Sequence, residues 1–256
     1  MENLSGSTHP EEFSCTTKSG VKADLSEAIF PIIKQDVGSN KFHFLGTGFF
    51  IARQGLIMTA KHILQDVTEN NIAKGPIGIF HFLPNNQYMI RSFVRGFCKD
   101  NSDVGVALLD QPKHVKTNDV LTNKTLPLSS IPCKKGDPVF AYAYPASQIE
   151  NLDTSQKAVF APEYFEGILE DEYPTGRDRS MLPNPCWKTS IHVHPGASGG
   201  PVLNSKGKVI GINSTSLNID PSCSFISTIA HMLDRVFPAS LYEINFPRWY
   251  SMRRQQ

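Results

Sequence analysis

An all-β fold in two halves is predicted for this chain of 256 residues, and three features predict it. Apolar stretches of four to eight residues, rich in Val, Ile and Phe and broken by Gly, Pro, Asn or Asp, recur along the chain in the pattern of many short strands. Helix-period patterns are scarce. A polar stretch from Gln111 to Lys124 separates two strand-rich halves of similar size. At this length such a chain forms a barrel or sandwich, or two barrels in series, and the division favours two small barrels.

Residues 1–26 read as an N-terminal arm. In the first half, residues 27–124, strands are predicted over Ile29–Lys34, Phe44–Ala52, Gly78–Phe82, Arg91–Phe97 and Val104–Leu109, with a short helical turn at Ala60–Gln65. In the second half, residues 125–240, strands are predicted over Pro138–Tyr144, Lys188–His192, Pro201–Leu203 and Lys208–Asn213. The run EDEYPTGRDRSMLPNP, Glu170–Pro185, reads as an exposed loop that borders the cleft or is simply solvated. A short C-terminal helix is predicted over Thr228–Val236, where Ile229, Met232, Leu233 and Val236 fall at helical spacing. In the tail, residues 241–256, Phe246, Trp249 and Tyr250 stand beside Arg248, Arg253 and Arg254. It is expected to pack on a barrel, the other reading being contact with a membrane or partner.

Composition narrows the function. Folding a chain this long hides roughly 70 to 75% of its extended surface, enough for a core without metal or disulfide staples. The net charge of +1, from 25 Lys and Arg against 24 Asp and Glu, offers no footprint for a polyanion, so nucleic acid is not an expected partner. No apolar run approaches the roughly 20 residues of a membrane span. The opening MENLSGSTHPEEFSCTTKSG is polar throughout, unlike a secretory signal, and the five cysteines, 15, 98, 133, 186 and 223, form no CxxC pair. A cytoplasmic protein with reduced thiols is expected, with the sequons at Asn123 and Asn213 unused.

Three segments carry chemistry together: GTGFFIARQGLIMTAKHIL, Gly46–Leu64; SDVGVALLD, Ser102–Asp110; and PGASGGPVLNSKGKVIGINS, Pro195–Ser214. They offer His62, Asp103 and Ser198, each at the edge of an apolar strand or turn. In that order the segments resemble the chymotrypsin-like serine proteases, and the HtrA type more than the digestive enzymes. TAKHIL is similar to the family's TAAHC or TAAHV, DVGVALL to DIALL, and GASGGPV to GDSGGP or GNSGGP. GDPVFAYAYP from Gly136 resembles the HtrA-type GDPVxAIGNP, and SFISTI from Ser224 resembles SFAIP.

The resemblance implies two antiparallel six-stranded β-barrels with an active cleft between them and a serine endopeptidase that needs no cofactor. It implies Ser198 as nucleophile, His62 as the base that takes its proton, and Asp103 as the carboxylate that orients the imidazole. It also implies an oxyanion hole from the amides of Gly196 and Ser198, and a hydrogen bond from Ser214 to the Asp103 carboxylate. Activity is expected to rise as His62 loses its proton, from a reference pKa of about 6.5.

Departures refine this. No IVGG-like sequence follows a basic cleavage site, Ala197 stands where an aspartate would pair with a freed amino terminus, and Ile63 stands where digestive enzymes carry Cys. No PDZ domain is expected within this chain. His192, Val193, Asn213, Ser214, Thr215 and Ser216 are expected to line the substrate pocket, with Cys223 or Phe225 near its base. None supplies a buried acid for a basic residue, which favours a small or medium uncharged P1 side chain. Depending on its orientation, His192 selects an acidic one instead.

The expected partner is a protein or peptide substrate, with a regulatory protein partner if activity is latent until triggered. The alternative is an inactive module that keeps the fold and captures peptides or partner proteins. His192 and His194 with Cys186 raise a zinc site, but no fourth ligand is evident and no metal is expected. Cys186 and Cys223 read as buried thiols rather than redox sensors. His9, His43, His81, His114 and His231 read as structural or surface residues.

Overall fold

The structure is a computed structural model. It describes residues 15–16, 22–23, 25–233 and 241–245, apart from 37–38, 40, 66–67, 70–71, 74, 84–86, 114–117, 119, 153–155, 193 and 218–219. Val, Ile and Phe alternate along its strands to fill the interiors of two closed barrels. The first is formed by β1 (Ile29–Gln35), β2 (Phe42–Phe50), β3 (Leu56–Ala60), β4 (Ile77–Leu83), β5 (Gln87–Lys99) and β6 (Val104–Leu109). Its strands pair in the order β6-β3-β2-β1-β4-β5, and β5 closes the ring on β6, every pairing antiparallel. The second is β7 (Pro138–Ala143), β8 (Glu163–Tyr173), β9 (Cys186–Thr189), β10 (Pro201–Asn204), β11 (Val209–Leu217) and β12 (Asp220–Thr228), closed in the order β7-β8-β9-β12-β11-β10. Beside the first barrel lies a single helical turn, α1 (Lys61–Gln65).

Each barrel has its own core. Phe30, Phe49, Phe50, Ile57, Ile79 and Phe93 fill the first, and Val139, Leu169, Trp187, Val202, Ile210 and Ile226 the second. At roughly 25 cal/mol per Å² these buried apolar faces dominate stability. The first core also holds a charge. Arg91 is 1% exposed, and its guanidinium donates to the Asn123 side chain at 2.5 Å and the Asp110 carbonyl at 2.6 Å. Burial lowers its pKa to about 10 against the opposing pull of Asp110. Asn123 donates in turn to the Arg53 carbonyl at 2.7 Å, so the polar stretch after β6 is fastened to the barrel rather than hanging free. Asn123 and Asn213 are both buried, and neither side chain is accessible to a glycan.

Several expectations are corrected. Thr228–Val236 is not a helix: β12 runs to Thr228, Ile229 is buried in the first core, and only a 3-10 turn follows at Ala230–Met232. A buried β-branched residue closing a ladder overrides the weak helical period. Residues 234–236 lie outside the described residues. The loop expected from Glu170 begins after Tyr173, because β8 continues through the charged residues, pairing Asp171 with Lys188 and Glu172 with Trp187. Strands at Leu56–Ala60, Glu163–Tyr173 and Asp220–Thr228 had no counterpart in the strand pattern, and neither had the hairpin of Gln148–Asn151 with Gln156–Val159. In the arm, Cys15–Thr16 pairs with Lys22–Ala23. The tail's Leu241–Asn245 adds antiparallel to β5, while its aromatic and arginine cluster lies outside the described residues. Among the described residues no helix is long and apolar enough to cross a membrane.

Candidate active site

His62 is carried on α1, immediately after β3, and Asp103 on the turn before β6. The pairing of Ala60 with Val104 brings the two together. His62 Nδ1 lies 2.9 Å and 3.2 Å from the two carboxylate oxygens of Asp103, and the His62 amide donates to the nearer one at 3.3 Å. Asp103 is 6% exposed, whereas the His62 side chain is 41% exposed and open to a ligand. Lys61 fixes the turn. Its amide donates to the Asp103 carbonyl at 2.6 Å, and its amine to the carbonyls of Lys99 and Asp100 at 2.9 Å each.

Ser198 comes from the second barrel, on the tight turn Pro195–Gly200 before β10. The first barrel grips this turn through Thr47 of β2. Thr47 donates its amide to the Ser198 carbonyl at 2.9 Å and its hydroxyl to the Gly196 carbonyl at 3.0 Å. The same hydroxyl accepts the Tyr144 amide at 3.0 Å. Two glycines are obligatory. Gly196 has φ +96°, and a Cβ there would sit 2.6 Å from the Phe44 ring; Gly199, φ +81°, has no room because Thr59 and the Thr47 carbonyl press against it.

The amides of the turn are divided. Ala197 donates to the His194 carbonyl, Gly199 to the Asn213 carbonyl and Gly200 to the Ala197 carbonyl. Among the described residues, no hydrogen bond is made by the amides of Gly196 and Ser198. The Ser198 hydroxyl donates to the Ser214 carbonyl at 3.3 Å.

Ser214 does not meet its expectation. Its hydroxyl has a single proton, and that proton goes to Ser227 Oγ at 2.7 Å instead of to the Asp103 carboxylate. Asn184, not singled out in the sequence, accepts the Asp103 amide at 2.9 Å. Of the residues expected to line the pocket, His192 is exposed and its ring stands edge-on to His194 with centroids 4.8 Å apart. Cys186 is buried instead beside Leu182 and Phe225. Asn213 is 1% exposed, and neither amide atom of its side chain has a partner among the described residues. Val193 and the side chains of Thr215, Ser216 and Cys223 lie outside the described residues. Among the described residues no group of three His, Cys, Asp or Glu is arranged to hold a metal.

The loop 174–185 closes one side of the site. Its Ser180, Met181 and Pro183 share a small cavity with Lys61, His62, Asp100 and Asp103. The loop is organised by Asp178. Desolvation pushes that carboxyl up, but the Met181 amide, the Arg177 guanidinium and the amides of Ser180 and Leu182 outweigh it and hold the pKa at about 2. Arg177 in turn lies over the Phe225 ring, 4.5 Å from its centroid.

Two closed six-stranded barrels, with a histidine and an aspartate on one and a serine on the other, define the chymotrypsin-like fold. The family model of the trypsin-like peptidase domain matches residues 46–212, and the chain belongs to that family. It is 27% identical over 172 residues to the chloroplastic Protease Do-like 1 of Arabidopsis thaliana, covering 66% of this chain and 32% of that protein. It is 26% identical over 175 residues to a DegP-like periplasmic serine endoprotease of Pseudomonas putida (strain GB-1), covering 66% of this chain and 29% of that one. The chain thus spans about a third of the length of these curated relatives. In fold it is similar to Deg5, with a TM-score of 0.56 at 16% identity, 81% of this chain and 86% of that chain. It is likewise similar to the HtrA-type protease AlgW with decapeptide, with a TM-score of 0.55 at 17% identity, 81% of this chain and 62% of that chain.

Proposed function

We propose that this chain is a serine endopeptidase that hydrolyses peptide bonds in protein substrates. The observation that carries the reading is His62 Nδ1 held on the buried Asp103 carboxylate, at 2.9 Å, across the cleft from a serine on a glycine-framed turn. In the reaction Ser198 Oγ leaves the Ser214 carbonyl, gives its proton to His62 Nε2 and attacks the substrate carbonyl. The oxygen that becomes negative is received by the amides of Gly196 and Ser198. Asp103 keeps the imidazole oriented and stabilises it when protonated. His62 then protonates the leaving amine, and water, deprotonated by His62, releases the acyl group from Ser198.

The test is cleavage of an unfolded protein by the purified chain. Product formation is expected, with a loss of at least about a thousandfold in Ser198→Ala. Equal cleavage by both proteins would overturn the reading. A binding module predicts no cleavage by either and unchanged peptide affinity in the variant.

The hydrogen bond of Ser198 to the Ser214 carbonyl supports a second reading, a resting enzyme whose nucleophile is released by a bound regulatory partner. It is overturned if the purified chain alone cuts at an ordinary protease rate.

A further inference from the structure

We infer that Asn184 is a positioning residue for the Asp103–His62 pair, acting from the second barrel's side of the cleft; the inference rests on the serine peptidase reading above. Asn184 closes the loop 174–185 just before β9 and is 1% exposed. Its Oδ1 accepts the Asp103 amide at 2.9 Å and the Ser227 hydroxyl at 3.3 Å. Its Nδ2 donates to the Pro185 carbonyl at 2.9 Å. These partners fix which way the amide faces, because an N–H must meet the oxygen and a carbonyl the nitrogen.

The contacts form a continuous path. Asp103 N–H donates to Asn184 Oδ1; Ser227 Oγ donates to the same oxygen; Ser214 Oγ donates to Ser227 Oγ at 2.7 Å; and Ser198 Oγ donates to the Ser214 carbonyl at 3.3 Å. Asn184, Ser214 and Ser227 are all buried. The residues that must act together lie on separate barrels, and misplacement of about 1 Å costs roughly a hundredfold in rate. Thr47 registers the barrels at the Gly196 turn. The path through Asn184 registers them at the Asp103 end, where the Ser214 hydroxyl does not reach the carboxylate. With the Asp103 carbonyl held by Lys61 at 2.6 Å, Asn184 completes the hold on the backbone that aims the carboxylate at His62.

The test compares Asn184→Ala, Asn184→Asp and Ser227→Ala in the full chain. Readouts are kcat, KM, the pH–rate profile and the downfield NMR proton of His62 Nδ1, with the thermal midpoint followed for each variant. Asn184→Ala is expected to lose about 10- to 100-fold in kcat with KM within about twofold, and to displace or broaden the His62 proton. Asn184→Asp keeps an oxygen for the Asp103 amide but loses the donor to the Pro185 carbonyl, so it is expected to recover part of the rate. Its added charge favours the protonated imidazole and moves the lower pH limb upward. Lys61, held by the carbonyls of Lys99 and Asp100, and His231, paired with Ser102 at 2.7 Å, are common to all variants. Ser227→Ala is expected to lose less than Asn184→Ala. Unchanged kcat and an unmoved His62 proton in Asn184→Ala overturn the inference. So do equal losses in the Ala and Asp variants that follow their thermal midpoints. The NMR readout needs no turnover: an inert wild type would overturn the peptidase reading while the His62 proton still decides the role of Asn184.

Discussion

Thr47→Val is the sharpest perturbation of the link between fold and site. Valine matches threonine in shape but removes a fully buried hydroxyl that donates to the Gly196 carbonyl and accepts the Tyr144 amide, both at 3.0 Å. The buried Tyr144 amide then loses its partner, at about 1 to 3 kcal/mol, and the part-buried Gly196 carbonyl loses its own at somewhat less. The expected loss of stability is roughly 2 to 5 kcal/mol, read as a lower denaturant midpoint at constant slope. Thr47→Ser keeps both bonds and removes one methyl, for about 1 kcal/mol. Because Gly196 and Ser198 sit on the released turn, the rate of active-site labelling per folded molecule is also expected to fall in Thr47→Val and to hold in Thr47→Ser. Equal stability and labelling in the two variants would refute the reasoning, since they differ in the hydroxyl.

Gly196→Ala puts a side chain at φ +96° against Phe44, and labelling is expected to drop about 100-fold or more while the far-ultraviolet circular dichroism is kept. His81, 4% exposed, has its pKa lowered from 6.5 to about 3 by burial and then by Arg91. Between those values the unfolded chain takes up a proton that the folded chain refuses, so stability is full above pH 6.5 and falls as pH drops toward 3. The whole difference corresponds to roughly 4 to 5 kcal/mol, and His81→Phe should flatten the pH dependence of the denaturant midpoint over that window. Burial raises the Cys186 thiol pKa, so iodoacetamide at neutral pH should leave it unmodified in the folded protein.

Many of the strands and the three candidate residues were legible because each lies inside a contiguous string whose meaning is local. His62, Asp103 and Ser198 are framed by apolar strand and glycine turn, and a tight turn leaves its mark in neighbouring residues. Thr47 and Asn184 carried no such mark, because their roles exist only across the cleft: Thr47 bonds to Gly196, and Asn184 to Asp103. The GTG of β2 and the proline-flanked PNP were the available signals, and both read equally well as ordinary strand and turn. β8 was missed because its exposed residues include the charged Glu166, Asp171 and Glu172, and a half-solvated strand has few apolar residues to show. The C-terminal helix failed for the opposite reason, since Ile229, Met232 and Leu233 bury themselves from a strand end and a single 3-10 turn. Ser214 fits its family position in sequence, but a neighbouring Ser227 takes its one proton.

The most direct test of the serine peptidase assignment is the intact mass of the chain after treatment with a fluorophosphonate, beside Ser198→Ala and His62→Ala. The account predicts one adduct, mapped to the peptide containing Ser198 and absent from both variants. An adduct that persists in Ser198→Ala, or a wild-type chain that takes none, would contradict it.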